Sequence, residues 1–360
     1  MPKKIILSFI IGIFISLVAL YFSFRNIPLA ELAEYMKHIN YWWIIPSTIA
    51  ALGSYIFRTL RWQRILHASG YPISFKNTFH PLMIGFATNN ILPARLGEIV
   101  RPLVLQQQEK MPFTTGLATV VTERVFDVGL MILSFIVITL FWHIDPSFEV
   151  TFAGYHLSAE VLENLLKNML ILALILLAGI SCVAIMAIRN LLIRVLWDIP
   201  RFFKPILGAS LTERLNTYLI AKIVRIIENV SNGFLLLRRP KQFLVCVLYT
   251  IIIWLVQASG YYLMMFGTPG VSLSFLDIYM VMVIILFFIA LPSVPGFWGM
   301  WEAGGLFILT LMGVAASTAM GFTLINHVIQ VVPIIIVGLI SAAITGVNIL
   351  KISKEPNAPN

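Results

Sequence analysis

The sequence predicts an all-α polytopic membrane protein with about six full transmembrane helices and two re-entrant helical hairpins. Three observations carry that prediction. Apolar residues make up 59% of the 360 positions and charged residues 11%, with a mean hydropathy of +0.92. A soluble globular chain runs at roughly half apolar and a quarter charged. The apolar residues are gathered into runs, several of them near the roughly 20 residues that a membrane-crossing helix needs. The charges fall mainly in the gaps between those runs. Together these features exclude a soluble enzyme, a secreted disulfide scaffold and a disordered chain.

The runs cover 5–24, 42–60, 78–92, 115–142, 166–188, 243–266, 276–291, 299–314 and 322–349. The first follows Met1-Pro2-Lys3-Lys4 and resembles a secretion signal. It is too long for a cleavable apolar region and lacks a small-residue cleavage site, so it reads as a retained span. Lysine and arginine counts then orient the chain. The N-terminus, segment 58–76 (Arg58, Arg61, Arg64, Lys76), segment 189–241 and the tail 351–360 read as cytoplasmic. Segment 144–164, with Asp145, Glu149, Glu160 and Glu163 and no Lys or Arg, reads as the outer face, as does the balanced segment 25–41. Both termini are thus expected in the cytoplasm, with the protein in the cytoplasmic (inner) membrane. Cys182 and Cys246 lie in apolar runs and read as packing residues. The net charge of +9 follows topology rather than a nucleic-acid surface.

Two runs do not fit as crossings. Segments 58–76 and 95–112 both read as cytoplasmic, yet only run 78–92 separates them. It is short and ends at Leu92-Pro93. Run 276–291 is also short and ends at Leu291-Pro292. If 78–105 and 276–314 dip in and return, every loop charge falls on its expected side. The offset from Pro93 to Pro292 also carries span 42–60 onto about 241–259, which suggests a weak inverted repeat. The single membrane domain over 1–350 then divides into a first repeat of about 1–142 and a second of about 166–350. Chance coincidence of two Leu-Pro dipeptides is the plainer alternative. Segment 189–241 interleaves ten basic residues with Leu, Ile and Phe, as helices lying on anionic lipid do. Positive-inside topology alone explains it equally well. Trp42, Trp43 and Trp142 sit at run ends as interfacial belt residues.

Three clusters place polar groups where the bilayer opposes them. The first is Pro93-Ala94-Arg95-Leu96-Gly97-Glu98-Ile99-Val100-Arg101-Pro102, and the second is Thr119-Val120-Val121-Thr122-Glu123-Arg124-Val125-Phe126-Asp127. The third is Pro292-Ser293-Val294-Pro295-Gly296-Phe297-Trp298-Gly299-Met300-Trp301-Glu302, with Asn326, His327 and Gln330 on the last span. A charge at mid-bilayer costs at least about 2.5–3.5 kcal/mol, so such groups pair, face water or act. Glu123 and Asp127 share a helical face, and Arg124 can pair with Asp127. One carboxylate remains in excess, for which Arg95 or Arg101 is the obvious cation. Each cluster also has a bland reading: an internal salt bridge for Glu123-Arg124-Asp127, cytoplasmic anchoring for Arg95 and Arg101, and an interhelical hydrogen bond for His327. Asn326 and Gln330 read as helix glue and Asp277 as interfacial. Pro93, Gly97, Pro292, Pro295, Gly296 and Gly299 supply the hinges that broken membrane helices need.

The sequence contains no Gly-rich phosphate loop, His-Glu-x-x-His, Cys-x-x-Cys or Gly-x-Ser-x-Gly motif, so no catalytic residue, metal or cofactor is expected. Three stretches, Leu92–Arg101, Ala118–Asp127 and Pro295–Glu302, resemble the lysylphosphatidylglycerol synthase transmembrane-region family in order and spacing over about residues 5–350. The resemblance implies a lipid-handling, flippase-like membrane domain. The chain ends at Asn360 without a soluble aminoacyl-transferase domain, so it is expected not to be an enzyme, and the lysyl lipid is in doubt as substrate. On this basis Arg95, Arg101 and Arg124 are expected to receive a lipid phosphate, since guanidinium forks match phosphate oxygens. Glu98, Glu123 and Asp127 would hold those arginines, and Glu302 and His327 would form an opposing site or carry a proton. The expected partners are anionic or phosphate-bearing membrane lipids, with a lipid-modifying enzyme as a further possibility. A non-transporting accessory protein and a membrane lipid-phosphate transferase are the alternatives.

Overall fold

The structure is a computed structural model and describes residues 3–93, 95–141, 149–152, 155–184, 186–202, 204–224, 239–291 and 294–348. Thirteen helices are described: α1 (Lys3–Phe24), α2 (Leu29–Lys37), α3 (Ile44–Ala68), α4 (Phe75–Ile91), α5 (Gly97–Glu109), α6 (Phe113–Phe141), α7 (Ala159–Ala184), α8 (Met186–Phe202), α9 (Lys204–Arg214), α10 (Pro240–Met265), α11 (Phe275–Ala290), α12 (Met300–Leu311) and α13 (Ala316–Thr345). Helices α10 and α13, of 26 and 30 residues, are long and apolar enough to cross a membrane. The end of α1 and α2 form a further pair, bent by 81°. Helices α3 and α6 reach 25 and 29 residues but carry internal charges.

Beside the helices, the acidic connection holds a short ribbon in which β1 (Glu149–Phe152) pairs antiparallel with β2 (Tyr155–Ser158). Its alternating Val150, Phe152, Tyr155 and Leu157 suit a pleated ribbon. Glu160 and Glu163 belong to the start of α7, where the helix dipole favours acids. One expectation is corrected: α3 continues to Ala68, so Arg58, Arg61 and Arg64 stand on the helix itself and not in the connection that follows it. Trp142, Pro292 and the tail 351–360 lie outside the described residues.

The two short runs form helical hairpins, α4 on α5 and α11 on α12. The local chemistry of the two is the same. Gly70 and Gly270 turn the chain with φ of +92° and +78°. Ser74 and Ser274 cap α4 and α11 by accepting from the amides of Asn77 and Asp277, so Asp277 is a capping residue. Both helices end at a leucine in extended backbone, Leu92 and Leu291, as the residue before a proline prefers.

Burial is inverted relative to a soluble protein. Long helices expose Ile49 and Ile56 (α3), Leu133 (α6), Leu244 and Leu248 (α10) and Ile336 and Ile340 (α13). Arg61, Arg101, Glu123, Glu302 and His327 lie inside. Such a surface matches a hydrocarbon solvent. The hairpin helices are the most enclosed: Leu82, Met83, Ile84 and Ala87 of α4 are buried, as are Val281–Ile285 of α11. Long helices therefore wrap two internal hairpins.

Hairpin closure depends on glycine at α4–α5. A β-carbon on Gly97 would collide with the Gly85 carbonyl, and one on Gly85 would collide with the Arg101 side chain. The Gly97 amide is also taken by the Asn89 side chain at 2.8 Å. Because the obstruction is backbone, Gly97→Ala is expected to lower stability by about 1–3 kcal/mol. Thermal unfolding of the detergent-solubilised protein would show it; an unshifted transition would mean the hairpin opens without cost.

Candidate functional site

The site is built where α3, α5 and α6 meet. Arg58 and Arg61 stand three apart on α3, and Glu123 and Asp127 four apart on α6, so each pair shares a helical face. Arg61 donates from Nη1 to Asp127 Oδ1 and to Thr250 Oγ1 of α10, both at 2.8 Å. Its Nη2 is 3.7 Å from Glu123 Oε1. Arg101 of α5 pairs with the other Glu123 oxygen. Arg124 Nη2 is 3.3 Å from Asp127 Oδ2, and its Nε is 3.9 Å from Glu98 Oε1. Arg58 reaches the same Asp127 oxygen at 3.7 Å, too far for a hydrogen bond.

Aromatic faces complete the cluster. The Arg58 guanidinium lies 5.6, 5.6 and 5.3 Å from the ring centres of Tyr55, Phe86 and Trp254. Arg101 lies 4.0 Å from the Trp62 ring, whose indole donates to Thr119. Phe86 also faces Arg101 and Arg124. Arginine tolerates this better than lysine, because its delocalised charge stacks on π faces and holds less water.

Arg58, Arg95 and Arg124, with Glu98 and Asp127, line a cavity of about 230 Å³. The second half contributes to the same lining: Trp254, Gln257 and Tyr261 of α10, Leu286 and Ile289 of α11, Phe297, Trp301 of α12 and Gln330 of α13. The two helix breaks meet beside it. Arg95, in left-handed backbone with φ +52°, donates to the Ile289 carbonyl at 2.8 Å and faces the Phe297 ring. The second break is a tight turn at Pro295–Phe297 with Gly296 at φ +74°, followed by Gly299 at +88°.

The expected site residues thus separate. Arg95, Arg124, Glu98 and Asp127 reach the cavity. Arg101 and Glu123 are brought to the same cluster but sit behind it, 2% and 1% exposed and bonded to each other. Glu302 and His327 are fully buried away from the cavity, with Trp301 between. His327 Nε2 donates to the Gly296 carbonyl and Nδ1 meets Glu302 Oε1, both at 2.6 Å. Glu302 Oε2 accepts from the Gly299 amide at 2.6 Å. Pro93 and Gly97 flank the first break, and Pro295, Gly296 and Gly299 shape the second. Asn326 bonds back to the Phe322 carbonyl on its own helix. Gln330 bonds Gln257, which bonds Ser54, tying α13, α10 and α3 together.

Sequence reasoning missed Arg58 and Arg61, two of the three arginines that surround Asp127. The available signal was Tyr55, Arg58, Arg61 and Trp62 on one helical face without a single neighbouring acid. It also gave no role to Trp254 or Tyr261, and Trp301 appeared only within the third cluster, although all three line the cavity.

Known proteins agree with this architecture at the level of sequence. The chain is 25% identical to a UPF0104 membrane protein of Methanocaldococcus jannaschii, over 95% of both chains. It is 22% identical to a UPF0104 membrane protein of Methanothermobacter thermautotrophicus, over 96% of this chain and 94% of that one. A third relative, the glycosyltransferase AglD of Haloferax volcanii, is 24% identical over 33% of this chain and 19% of its own length. No solved structure matches the chain. The model of the lysylphosphatidylglycerol synthase transmembrane region matches residues 9–338, a stretch that contains every residue lining the cavity. The chain is an integral membrane protein that belongs to the lysylphosphatidylglycerol synthase transmembrane-region family.

Proposed function

We propose that the protein is a flippase-type transporter that takes the phosphate-bearing headgroup of a membrane lipid into the cavity between its two hairpins. One observation carries the reading: among the described residues, the cluster sets five guanidinium groups (Arg58, Arg61, Arg95, Arg101, Arg124) against three carboxylates (Glu98, Glu123, Asp127). An excess of two positive charges inside a membrane protein is a standing demand for an anion. Arg58 makes no hydrogen bond to a carboxylate, and its Nε, like those of Arg61, Arg101 and Arg124, is buried without a partner. The apolar rim of Phe86, Met131, Leu286 and Ile289 suits the start of acyl or prenyl chains that remain in the bilayer.

The transport reading assigns α1, α3, α6, α7, α10 and α13 as full spans and the two hairpins as re-entrant. The protein is assigned to the cytoplasmic membrane with both termini inside. The constant spacing of Gly70 and Gly270, Ser74 and Ser274, and Asn77 and Asp277 supports an inverted repeat, since turn and cap recur together. So does the packing. The pairing of α5 with α6 recurs as α12 with α13, and that of α3 with α4 as α10 with α11, while α3 and α10 pack on each other. Such repeats place the working site at their interface near mid-membrane.

Reconstitution in liposomes with fluorescent phosphatidylglycerol tests the reading. The protein alone is expected to equilibrate label between leaflets, and Arg58→Gln or Arg124→Gln to slow it at least tenfold. Rates unchanged in both variants would reject the site. A second reading, a non-transporting accessory protein, draws on the partial likeness to a relative named as a glycosyltransferase. It predicts lipid binding without movement unless a lipid-modifying enzyme is added.

A further inference from the structure

The arginines of the cluster fall into two sets with different charge balance. Arg61 donates to Asp127 at 2.8 Å and Arg101 pairs with Glu123, so two guanidiniums and two carboxylates close into bonded, neutral pairs. Neither of these arginines lines the cavity. Arg58, Arg95 and Arg124 do line it, and none of the three donates a hydrogen bond to a described carboxylate. The Asp127 Oδ2 atom, 3.7 Å from Arg58 and 3.3 Å from Arg124, accepts from neither. The remaining carboxylate is Glu98, 3.9 Å from Arg124 Nε. Three guanidinium charges at the cavity are thus set against one carboxylate charge. The rings of Tyr55, Phe86 and Trp254 hold Arg58 in place without neutralising it. Arg58 is buried and Arg124 half-buried, so their unmatched charge is weakly screened by salt.

From this we infer that the preferred lipid ends in a phosphate monoester, a dianion, rather than in a phosphodiester. The inference rests on the phosphate-binding reading above and narrows its substrate class. A phosphate monoester carries about −1.5 to −2 charge near neutral pH and presents three terminal oxygens. A phosphodiester has a single charge and only a pair of free oxygens. The monoester alone matches an excess of two positive charges. It also offers one oxygen to each of three guanidiniums, which come from α3, the first break and α6. A phosphodiester such as phosphatidylglycerol engages the same arginines with one positive charge left unmatched. A headgroup that adds an ammonium brings charge of the wrong sign.

Dodecyl phosphate and its methyl ester share one chain and one phosphorus and differ by one charge, so their affinity ratio reads the potential at the site. Binding of each to the full-length protein in phosphatidylcholine nanodiscs is expected to favour the monoester about tenfold or more near pH 8, as for one added charge-assisted contact. The free monoester takes up its second proton at about pH 6, so the preference is expected to fall roughly tenfold by about pH 5. The methyl ester keeps its charge throughout and serves as the control. Among the described residues lining the cavity there is no histidine, lysine or cysteine. Protonation of Glu98 or Asp127 would make the site more positive and raise the ratio, the opposite of the expected change. Arg58→Gln and, separately, Arg124→Gln are each expected to weaken both esters and to lower the ratio severalfold, whereas Glu98→Gln is expected to raise it. Inorganic phosphate is expected not to displace dodecyl phosphate at equal concentration; displacement would assign the site to a free phosphate and overturn the lipid. A ratio near one at the higher pH, or one unchanged by acidification, would overturn the dianion assignment while leaving the phosphate site standing. Indifference of both esters to both arginine variants would overturn the phosphate site itself.

Discussion

Asp127→Asn is expected to lower stability by about 3–5 kcal/mol, the loss seen when one side of a buried ion pair is removed. The Asp127 carboxylate meets three guanidinium groups, Arg61 at 2.8 Å, Arg124 at 3.3 Å and Arg58 at 3.7 Å. An amide of the same shape can still accept a hydrogen bond from Arg61, but it removes the charge. The excess then rises from two positive charges to three, on groups that mostly lie out of solvent. The reverse change, Arg61→Met, deletes a charge from the over-supplied side and leaves Asp127 with Arg58 and Arg124. It is therefore expected to cost clearly less than Asp127→Asn, although both break the same 2.8 Å bridge. Thermal unfolding in detergent compares the two variants directly. Equal losses would show that the bridge itself, rather than the charge balance of the whole cluster, sets the stability.

The hairpins were legible in the sequence because their signals are local. A short apolar run and a Leu-Pro stop are each read within a few residues, and the positive-inside argument adds only loop charges. The pairing of Arg124 with Asp127 was legible for the same reason, being three residues apart on one helix. Arg58 and Arg61 were not, because their meaning depends on a partner across 66 positions of chain. Near the end of an apolar run an arginine is ordinarily a topology marker, and nothing adjacent says that α3 carries it inward. Trp301 shows the same limit from the apolar side. Within Pro295–Glu302 it reads as filler, yet the fold sets it between the buried Glu302–His327 pair and the cavity. Conversely, Glu302 and His327 stood out as polar residues in an apolar run. Their geometry shows a closed set of bonds rather than an open binding group.

That closed set makes opposite demands on two substitutions. His327→Ala is expected to lower stability by about 3–5 kcal/mol, because it strands the Gly296 carbonyl and one Glu302 oxygen in a fully buried site. The second hairpin would then lose the bond that ties its break to α13, and the Trp301 ring its stacking partner. Glu302→Gln should behave differently. Nε2 of His327 must carry hydrogen to donate to a carbonyl, so Nδ1 and the carboxylate share one further proton. Glutamine reproduces both contacts without that proton: its oxygen accepts from the Gly299 amide and its N–H2 donates to Nδ1 of a neutral ring. Stability is expected to stay within about 1 kcal/mol, since every buried group remains paired. If the hairpin is a passive brace, lipid movement in liposomes is also unchanged by Glu302→Gln at every pH. If the shared proton accompanies transport, the variant keeps its fold, moves lipid several-fold more slowly and loses its response to a pH gradient. The substitution therefore separates the two roles of the pair in one measurement, because it spares the hydrogen bonds that His327→Ala destroys.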